Sequence, residues 1–355
     1  MKICYFTLTT TTPTRDIVIL NGLRNLGVEI IECRDFSPGL KKFWRLWQKH
    51  RALHGQYDIL LVGFSGHILV PFARLISRKK IVFNTLGALY NGVIDSRKKY
   101  GFLRLRALYC LLIDWLAFHS ADLTFVESDA RKKYIMRRFF VPERKLVKIW
   151  PGADDTVFIY IPNIKKLPVF TVLFRGALMP ESGIEYMLQA AHILRDEPIN
   201  FRIMGAGYLA QLVSKMIREL NLRNVEWITE RLQWREMTAK IQECHISLSQ
   251  LSAHKRQGFH VPFKTAESMA LKVPFLVPRN SFGVLEFLIE DETCFCVKPA
   301  DAQDLAQKIM QLRGRPDDLA RIAENAFRFF KKNFTTEAVA QELKNIFKTY
   351  LGQLI

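Results

Sequence analysis

The sequence is short of acidic residues, of closely spaced cysteines and of long apolar runs. Its 355 residues include 34 Asp and Glu against 52 Lys and Arg, a formal net charge of +18. Of the six cysteines only Cys294 and Cys296 lie close together, and no other Cys or His completes a metal-binding pattern. The most apolar run, residues 107–117, is too short for a membrane span and contains Asp114. These absences argue against a disulfide scaffold, a zinc site and a transmembrane helix.

What is present is typical of a folded protein. Hydrophobic residues make up 49% of the chain and the mean hydropathy is +0.02, so the composition is not that of a disordered protein. The length suffices for two α/β domains with substantial cores. Because strand-like residues begin at position 2, we expect no signal peptide, and we expect the cysteines to be reduced in a cytosolic protein.

Short apolar segments alternate with helical patterns along the chain. Strands are predicted at residues 3–8, 28–33, 57–62, 80–83, 123–126, 146–149, 169–174, 201–204, 224–227, 246–248 and 275–277. Helices are predicted at residues 16–26, 184–194, 237–244 and 336–351. This alternation predicts parallel sheets covered on both faces. The loop after the first strand has no glycine, which argues against a dinucleotide-binding dehydrogenase.

The positive charge is concentrated in the first half of the chain. Residues 1–160 hold 26 Lys and Arg against 13 Asp and Glu, whereas the remainder holds 26 against 21. An anionic partner should therefore meet the first half. We expect no nucleic acid, because no helix-turn-helix, zinc or RNP pattern is present. Two basic, aromatic stretches, 40–53 and 103–112, could lie on an anionic membrane, or could be core-packed helices with a solvated basic face.

Residues 262–278 form the most informative stretch. Pro262 favours a helix start, Lys264 adds a positive charge there, and Glu267 follows within the first turns. A helix N-terminus with a lysine suits a diphosphate, and a carboxylate can accept hydrogen bonds from ribose hydroxyls. The alternative interpretation is a glutamate that complements the helix dipole beside a solvated lysine.

This stretch resembles the "PxKxxEAMAxGxPVI" segment of the retaining GT-B glycosyltransferases of family 4. Residues 121–128, 148–158, 174–190 and 205–207 are similar to other segments of that family in the same order. The resemblance implies an α/β protein of GT-B architecture, with two Rossmann-like domains facing each other across a cleft. We expect an N-terminal acceptor domain at 1–160, a linker at 161–168, a nucleotide-sugar domain at 169–335, and a final helix at 336–355 packing back across the domains.

The resemblance also implies an activity. It is the metal-independent, retaining transfer of a sugar from a nucleoside-diphosphate sugar to an acceptor hydroxyl, with no cofactor besides that donor substrate. The acceptor would be a glycan or lipid-linked molecule, in lipid-linked glycan, polysaccharide or glycolipid synthesis. We expect a cytoplasmic protein, peripheral on the inner face of the cell membrane and in contact with anionic lipid.

The resemblance assigns roles to particular residues. The catalytic candidates are Lys264, Glu267 and Asp95. The donor-binding candidates are Arg175, Gly176, Ser182, Gly183, Gly205, Gly207, His254, Lys255, Arg256, Lys264 and Glu267. The acceptor-side candidates are Arg15, His67, Asn84 and Tyr90, and no metal ligand is expected.

Five positions depart from the family pattern. Asn84 and Asn91 stand where aspartates are expected, Ala177 and Ser182 where an arginine and a lysine are expected, and Phe259 where a glutamate is expected. They favour an alternative in which the chain is a non-catalytic relative that binds nucleotide or anionic lipid as a scaffold.

Overall fold

The computed structural model describes residues 1–95 and 103–352, and for Asp95, Leu103 and Arg104 it describes the backbone alone. The chain divides into two units. The first consists of Met1–Asp154 with Thr335–Ile355, and the second is Asp155–Phe334. The first unit therefore ends six residues before position 160, where the family pattern placed its end.

The first unit contains a parallel six-stranded sheet with strand order β2-β1-β3-β4-β5-β6. Its strands are β1 Lys2–Thr7, β2 Glu29–Arg34, β3 Ile59–Val62, β4 Lys80–Asn84, β5 Leu123–Val126 and β6 Leu146–Lys148. All four residues of β3 and of β5 are buried. Continuous apolar runs of this kind are typical of parallel strands that are covered on both faces.

Helices cover both faces of this sheet. They are α1 Thr14–Asn25, α2 Lys41–Ala52, α3 Leu69–Ile76, α4 Leu103–Ser120, α5 Asp129–Phe139 and, from the end of the chain, α13 Thr336–Leu351, with short turns at Asn91–Asp95 and Glu143–Lys145. One apolar cluster joins the sheet to α2, α3, α4 and α5, and a second joins its other face to α1 and α13.

The final helix is an integral part of the first unit. A side-chain carbon at Gly22 of α1 would lie 3.3 Å from the Cβ atom of Ala340, so the two helices approach closely there. Val339, Leu343 and Phe347 are buried on the same side. The hydroxyl of Thr335 accepts a hydrogen bond from the Ala338 amide at 3.2 Å and caps the helix start.

The second unit repeats the architecture, with strand order β12-β11-β10-β7-β8-β9. Its strands are β7 Phe170–Arg175, β8 Ile199–Met204, β9 Val225–Ile228, β10 Ile246–Leu248, β11 Phe275–Pro278 and β12 Phe295–Val297. Its helices are α6 Ile184–Ile193, α7 Ala210–Glu219, α8 Trp234–Gln242, α9 Phe263–Ala270, α10 Phe282–Leu285, α11 Ala302–Arg313 and α12 Pro316–Asn333, with short 3-10 turns at Pro180–Ser182 and Lys255–Gly258.

The prediction of parallel sheets alternating with helices is confirmed, and each predicted strand lies within two residues of an observed one. Helix α8 begins three residues before the predicted start, because its first turn is polar or exposed and Met237 is its first buried residue. Strand β12, Phe295–Val297, was not predicted. Within residues 1–95 and 103–352, no helix has the length and apolarity needed to cross a membrane.

Candidate functional site

The candidate site lies at the carboxyl edge of the second sheet. The chain runs outward from β7 through β8 to β9, and then returns to the other side of β7 with β10. Open α/β sheets bind ligands beyond the carboxyl ends of the strands at such a reversal. Arg175 ends β7, Gly205 follows β8, and the loop after β10 leads into α9 with Lys264 and Glu267.

Lys264 lies in the first turn of α9, which begins after Pro262. Its ammonium nitrogen is 3.7 Å from the centre of the ring of Phe174, the last apolar residue of β7, so the cation lies against the face of that ring. Burial, together with the nearby positive charge of Arg175, lowers the pKa of Lys264 to about 7. The lysine is therefore partly deprotonated near neutral pH and would gain from an anion placed beside it.

Glu267 is buried one turn further along α9 and forms an ion pair with Arg175. Burial raises the pKa of its carboxyl group, and this effect outweighs the opposing attraction of Arg175 and Lys264. The Arg175 guanidinium also lies 5.3 Å from the ring centre of Phe158. Arg175, Lys264 and Glu267, all assigned to donor binding, are thus brought together.

The two strand-end loops at this site pack directly against each other. The Gly176 amide donates to the Met204 carbonyl at 3.0 Å, and a side-chain carbon on Gly205 would lie 2.1 Å from the Gly176 carbonyl oxygen. A side-chain carbon on Gly207 would lie 2.8 Å from the Leu178 amide. These glycines allow the close approach of two backbones. Gly176 also borders Lys264, whose Nζ atom would be 3.7 Å from a carbon added there.

A cavity of about 470 Å³ opens beside this cluster. Arg175 and Gly205 line it from the cluster side, and the remaining wall is Met204, Ile228, Glu230, Arg231, Leu232, Gln233, Trp234 and Met237. Trp234 is 55% exposed, so its ring is available to a bound group. Sequence reasoning missed residues 230–234, although their place directly after β9 puts them at the same sheet edge.

Ser182 and Gly183 serve the local backbone. The Ser182 hydroxyl is buried and accepts a hydrogen bond from the Ile184 amide at 3.3 Å. A side-chain carbon on Gly183 would lie 2.5 Å from the Ser252 amide. Ser182 therefore provides no cation where the family has one.

The basic loop after β10 is organised around a buried glutamate. Arg256 forms an ion pair with the Glu181 carboxylate at 2.7 Å. The side-chain amide of Gln257 donates a hydrogen bond to the backbone carbonyl of Glu181 at 2.6 Å. The His254 ring nitrogen accepts a hydrogen bond from the Arg256 amide at 3.2 Å, while Lys255 is exposed. Glu181 was not among the candidate residues, although it precedes the position of the missing family lysine.

In the first unit, the acceptor-side candidates Arg15 and Asn84 have no exposed surface. The Arg15 Nε atom donates to the Asn84 side-chain oxygen at 2.7 Å, and the Asn84 amide donates to Asp16. Asp16 also accepts hydrogen bonds from the Tyr5 hydroxyl at 2.6 Å and the Phe64 amide at 2.9 Å. In this structure Arg15 and Asn84 are part of an internal network, which differs from a direct contact with an acceptor.

His67 and Tyr90 meet at a second buried carboxylate. The Nε2 atom of His67 lies 2.8 Å from the Gly87 carbonyl and 3.7 Å from Asp114, and burial lowers the pKa of His67 to about 4. The neutral ring therefore donates to Gly87. The Asp114 carboxylate accepts a hydrogen bond from the backbone amide of Tyr90 at 2.9 Å, and Tyr90 itself is half-buried. The side chain of Asp95, the third catalytic candidate, lies outside the described residues.

Comparison with known proteins finds a family match in the second unit. Residues 162–329 match the family described as glycosyl transferases group 1. This range covers nearly all of Asp155–Phe334, so the match lies within the second unit.

The curated relatives share only part of their length with this chain. A putative colanic acid biosynthesis glycosyl transferase of Escherichia coli K12 is 25% identical over 154 residues, 42% of this chain and 36% of that protein. An MMP alpha-(1->4)-mannosyltransferase of Mycolicibacterium hassiacum is 22% identical over 261 residues, 73% of this chain and 59% of that protein. An uncharacterized glycosyltransferase of Methanocaldococcus jannaschii is 23% identical over 176 residues, and the match spans about half of each protein, 50% and 47% respectively.

Solved structures match the chain over almost its full length. Anabaena HepE in complex with UDP-glucose has a TM-score of 0.77 and 16% identity, with 98% of this chain and 100% of that chain covered. Sucrose-phosphate synthase of Thermosynechococcus elongatus has a TM-score of 0.79 and 14% identity, with 99% of each chain covered. The two parallel six-stranded sheets are therefore those of a GT-B glycosyltransferase fold, as the resemblance implied.

Proposed function

We propose that the chain transfers a sugar from a nucleoside-diphosphate sugar to an acceptor hydroxyl, with retention of configuration at the anomeric carbon. The observation that carries this proposal is the meeting of Lys264, Arg175 and Glu267 at the start of α9, beside the 470 Å³ cavity. It lies in the unit that matches the family model of glycosyl transferases group 1. HepE, whose fold is similar, was crystallised with UDP-glucose, which makes a UDP-sugar the first donor to test.

In this proposal each part of the site binds one part of the donor. The cavity takes the base, with Trp234 offering a ring face for stacking. The amides at the start of α9 and the Lys264 ammonium take the diphosphate. Glu267 accepts hydrogen bonds from the ribose hydroxyls. A carboxylate has several acceptor positions, so Arg175 can stay paired while hydroxyls bind.

The slow event would be departure of the diphosphate, during which negative charge builds on the leaving phosphate and the sugar becomes oxocarbenium-like. Fixed dipoles and cations stabilise such developing charge because they need no reorganisation during the reaction. Lys264 is suited to this task, since its pKa of about 7 would rise as charge accumulates beside it. We propose that these groups act without a metal ion, which a chelator tests directly.

The acceptor in this proposal is a glycan or a lipid-linked molecule, used on the cytoplasmic side of a membrane in polysaccharide, lipid-linked glycan or glycolipid synthesis. The support is the basic first half of the chain together with the similarity to the Escherichia coli protein of colanic acid biosynthesis. Tyr90, which is half-buried, remains a candidate for acceptor contact. Arg15, Asn84 and His67 would act by positioning, because all three are buried.

A non-catalytic relative that only binds the nucleotide is the second candidate. Two observations favour it. Ala177 and Ser182 replace two cations of the family pattern, and Arg256 of the basic loop is neutralised by its ion pair with Glu181. Such a protein would keep the base and ribose contacts but would lack charge stabilisation for the leaving diphosphate.

The test is a thermal-shift screen of UDP, GDP, ADP and their sugars, followed by measurement of nucleoside diphosphate release with the best donor. A ligand at 100 times its Kd should stabilise the fold by about 2.7 kcal/mol, a shift that is easily detected. Donor turnover that persists in excess EDTA would support the metal-independent transferase. Binding without turnover, with glycolipid and polysaccharide acceptors present, would favour the non-catalytic relative, and absence of binding would refute both.

A further inference from the structure

The two basic, aromatic stretches of the first unit lie in one layer. Helices α2, α3, α4 and α5 share a single apolar cluster on one face of the sheet. Phe43 of α2 contacts Phe72 of α3, with ring centres 5.4 Å apart. Arg74 of α3 in turn donates to the Ser120 carbonyl at the end of α4, at 3.0 Å. Stretches separated by some fifty residues in sequence therefore present one continuous outer face, which we call the α2–α5 face.

The centre of the α2–α5 face is an apolar stripe on α4. Five large side chains at helical spacing are exposed, namely Leu105 (73%), Leu108 (64%), Tyr109 (50%), Leu112 (53%) and Trp115 (45%). The opposite side of α4 is fixed by Asp114, which is fully buried and accepts the Leu89 amide at 2.7 Å. The helix is thus held with large apolar side chains facing solvent, while its buried side is apolar as well and includes Ala117 and Phe118.

The helices of this layer contain many more cations than carboxylates, although some of these cations pair with carboxylates of the adjoining segments, as Lys49 does with Asp35 and Lys132 with Glu143. Helices α2 to α5 contain 13 Lys and Arg against two Asp, and one of these, Asp114, is buried. On the other face of the same sheet, α1 and α13 contain four Lys and Arg against three Asp and Glu. The charge asymmetry therefore belongs to one helical layer rather than to the unit as a whole.

Aromatic rings and cations also alternate on α2. Trp44 is 59% exposed and lies against Trp47, with ring centres 4.8 Å apart. The Arg51 guanidinium lies 5.6 Å from the centre of the Trp47 ring, and the Lys42 ammonium lies 5.6 Å from the Phe43 ring. Amphipathic rings beside cations suit the headgroup region of a bilayer, where one side of each residue is apolar and the other is hydrated.

We propose that the α2–α5 face docks on the surface of a bilayer that contains anionic phospholipid. The α4 stripe would enter the boundary between headgroups and acyl chains, while the cations of α2 and α5 meet lipid phosphates. A single partner then satisfies both features, because a bilayer offers apolar depth beneath a negative surface. The proposal names the surface on which the membrane part of the proposed function would rest. The α2–α5 face belongs to the first unit and shares no residue with the donor site, so donor binding and vesicle binding can be tested independently.

The test is co-sedimentation of the full chain with vesicles of phosphatidylcholine alone or of equal parts phosphatidylcholine and phosphatidylglycerol. We expect binding to the anionic vesicles only, with release in high salt. Lys133→Glu with Arg137→Glu, two exposed cations of α5, should lower the partition coefficient at least about tenfold, since each cation near an anionic surface contributes severalfold. The matched control, Lys344→Glu with Lys348→Glu on α13, has the same charge change and should bind nearly as the natural chain.

A second pair of variants tests the apolar stripe. Leu108→Gln with Leu112→Gln should weaken vesicle binding about tenfold or more. Its control, Ile193→Gln with Leu212→Gln, changes exposed residues on helices of the second unit and should have no effect. Donor binding, measured without vesicles, should be unchanged in all four proteins, which separates this proposal from the donor site.

Three outcomes would overturn the proposal. In the first, the chain stays in the supernatant with anionic vesicles at low salt, and in the second, the α5 and α13 charge variants bind these vesicles equally. In the third, the natural chain is a dimer by light scattering, ignores vesicles, and becomes monomeric on changing Leu108 and Leu112. That result would assign the α2–α5 face to self-association.

Discussion

Both units place a charged cluster at the carboxyl edge of a parallel six-stranded sheet, yet the two clusters differ in what they can do. In the first unit, Arg15, Asp16 and Asn84 are sealed among internal donors and acceptors at the carboxyl edge of the sheet. In the second unit, Lys264 rests on the face of a ring and the Arg175–Glu267 pair borders an open cavity. A strand edge therefore supplies the place for a ligand, and access to that edge is what the cluster of the second unit has and the cluster of the first unit lacks.

The buried cluster of Arg15, Asp16 and Asn84 should contribute to the free energy of unfolding. Arg15→Met removes a buried cation and leaves the buried carboxylate of Asp16 without its neighbouring charge. Breaking a buried charge network by removing one partner costs about 3–5 kcal/mol. We therefore expect the free energy of unfolding in urea to fall by about that amount, the largest effect among these predictions. Arg24→Met, at the exposed end of α1, is the control and should cost less than about 1 kcal/mol.

If Arg15→Met instead unfolds like Arg24→Met and loses transfer to acceptor, the two clusters are alike. The acceptor-side role that the family pattern gave to Arg15 would then hold.

The cluster of Lys264, Arg175 and Glu267, which borders the cavity, should contribute to the rate of turnover. Lys264→Ala removes the cation placed to meet the departing diphosphate, so kcat should fall by about 10²–10³, as when one transition-state donor is removed. The Kd of UDP should rise much less, since the α9 amides remain. Steady-state kinetics and isothermal calorimetry measure the two quantities, and Lys298→Ala, an exposed lysine, is the control. A rise in Kd with kcat unchanged would mean that Lys264 stabilises the bound donor and the transition state equally.

Glu267→Gln sharpens the same comparison at the ribose. Replacing a charged acceptor by a neutral one should weaken nucleoside-diphosphate binding by about 1.5–3 kcal/mol, or roughly tenfold to a hundredfold in Kd. Glu290→Gln, which breaks an exposed pair with Arg279, is the matched control and should leave Kd unchanged. A folded Glu267→Gln protein with natural affinity would exclude Glu267 from the donor site.

The smallest expected effect is on the pH dependence of donor binding. Because the pKa of free Lys264 is lowered to about 7, the lysine is charged below that pH and must take up a proton to meet an anion above it. The Kd of UDP-glucose, whose phosphates do not titrate in this range, should be flat below about pH 6 and rise up to about tenfold per pH unit above pH 7. Lys264→Met should abolish the slope, and a slope that persists in that variant would assign the proton to another group.

Much of this protein could be read from its sequence. The alternation of apolar runs with helical periods predicted both sheets, because a strand buried on both faces must be continuously apolar. Pro262, Lys264 and Glu267 could be linked to a helix start, because those preferences act within one turn. Gly176 and Gly205 matched the family pattern in sequence. The physical reason for these glycines is the close approach of their two loops, which only the tertiary structure shows.

Other features were decided by tertiary structure alone. Nothing near Arg15 in sequence indicates that Asn84 would enclose it from 69 residues away, or that Arg175 would pair with Glu267 across 92 residues. Helix α4 carries apolar residues on both sides, so its sequence does not indicate which side is buried, and Asp114 decides this by binding the backbone of Leu89. Sequence determines local preference, because it acts through neighbouring residues. Long-range packing decides which charges are closed off and which remain open to a ligand, because desolvation depends on everything that surrounds them.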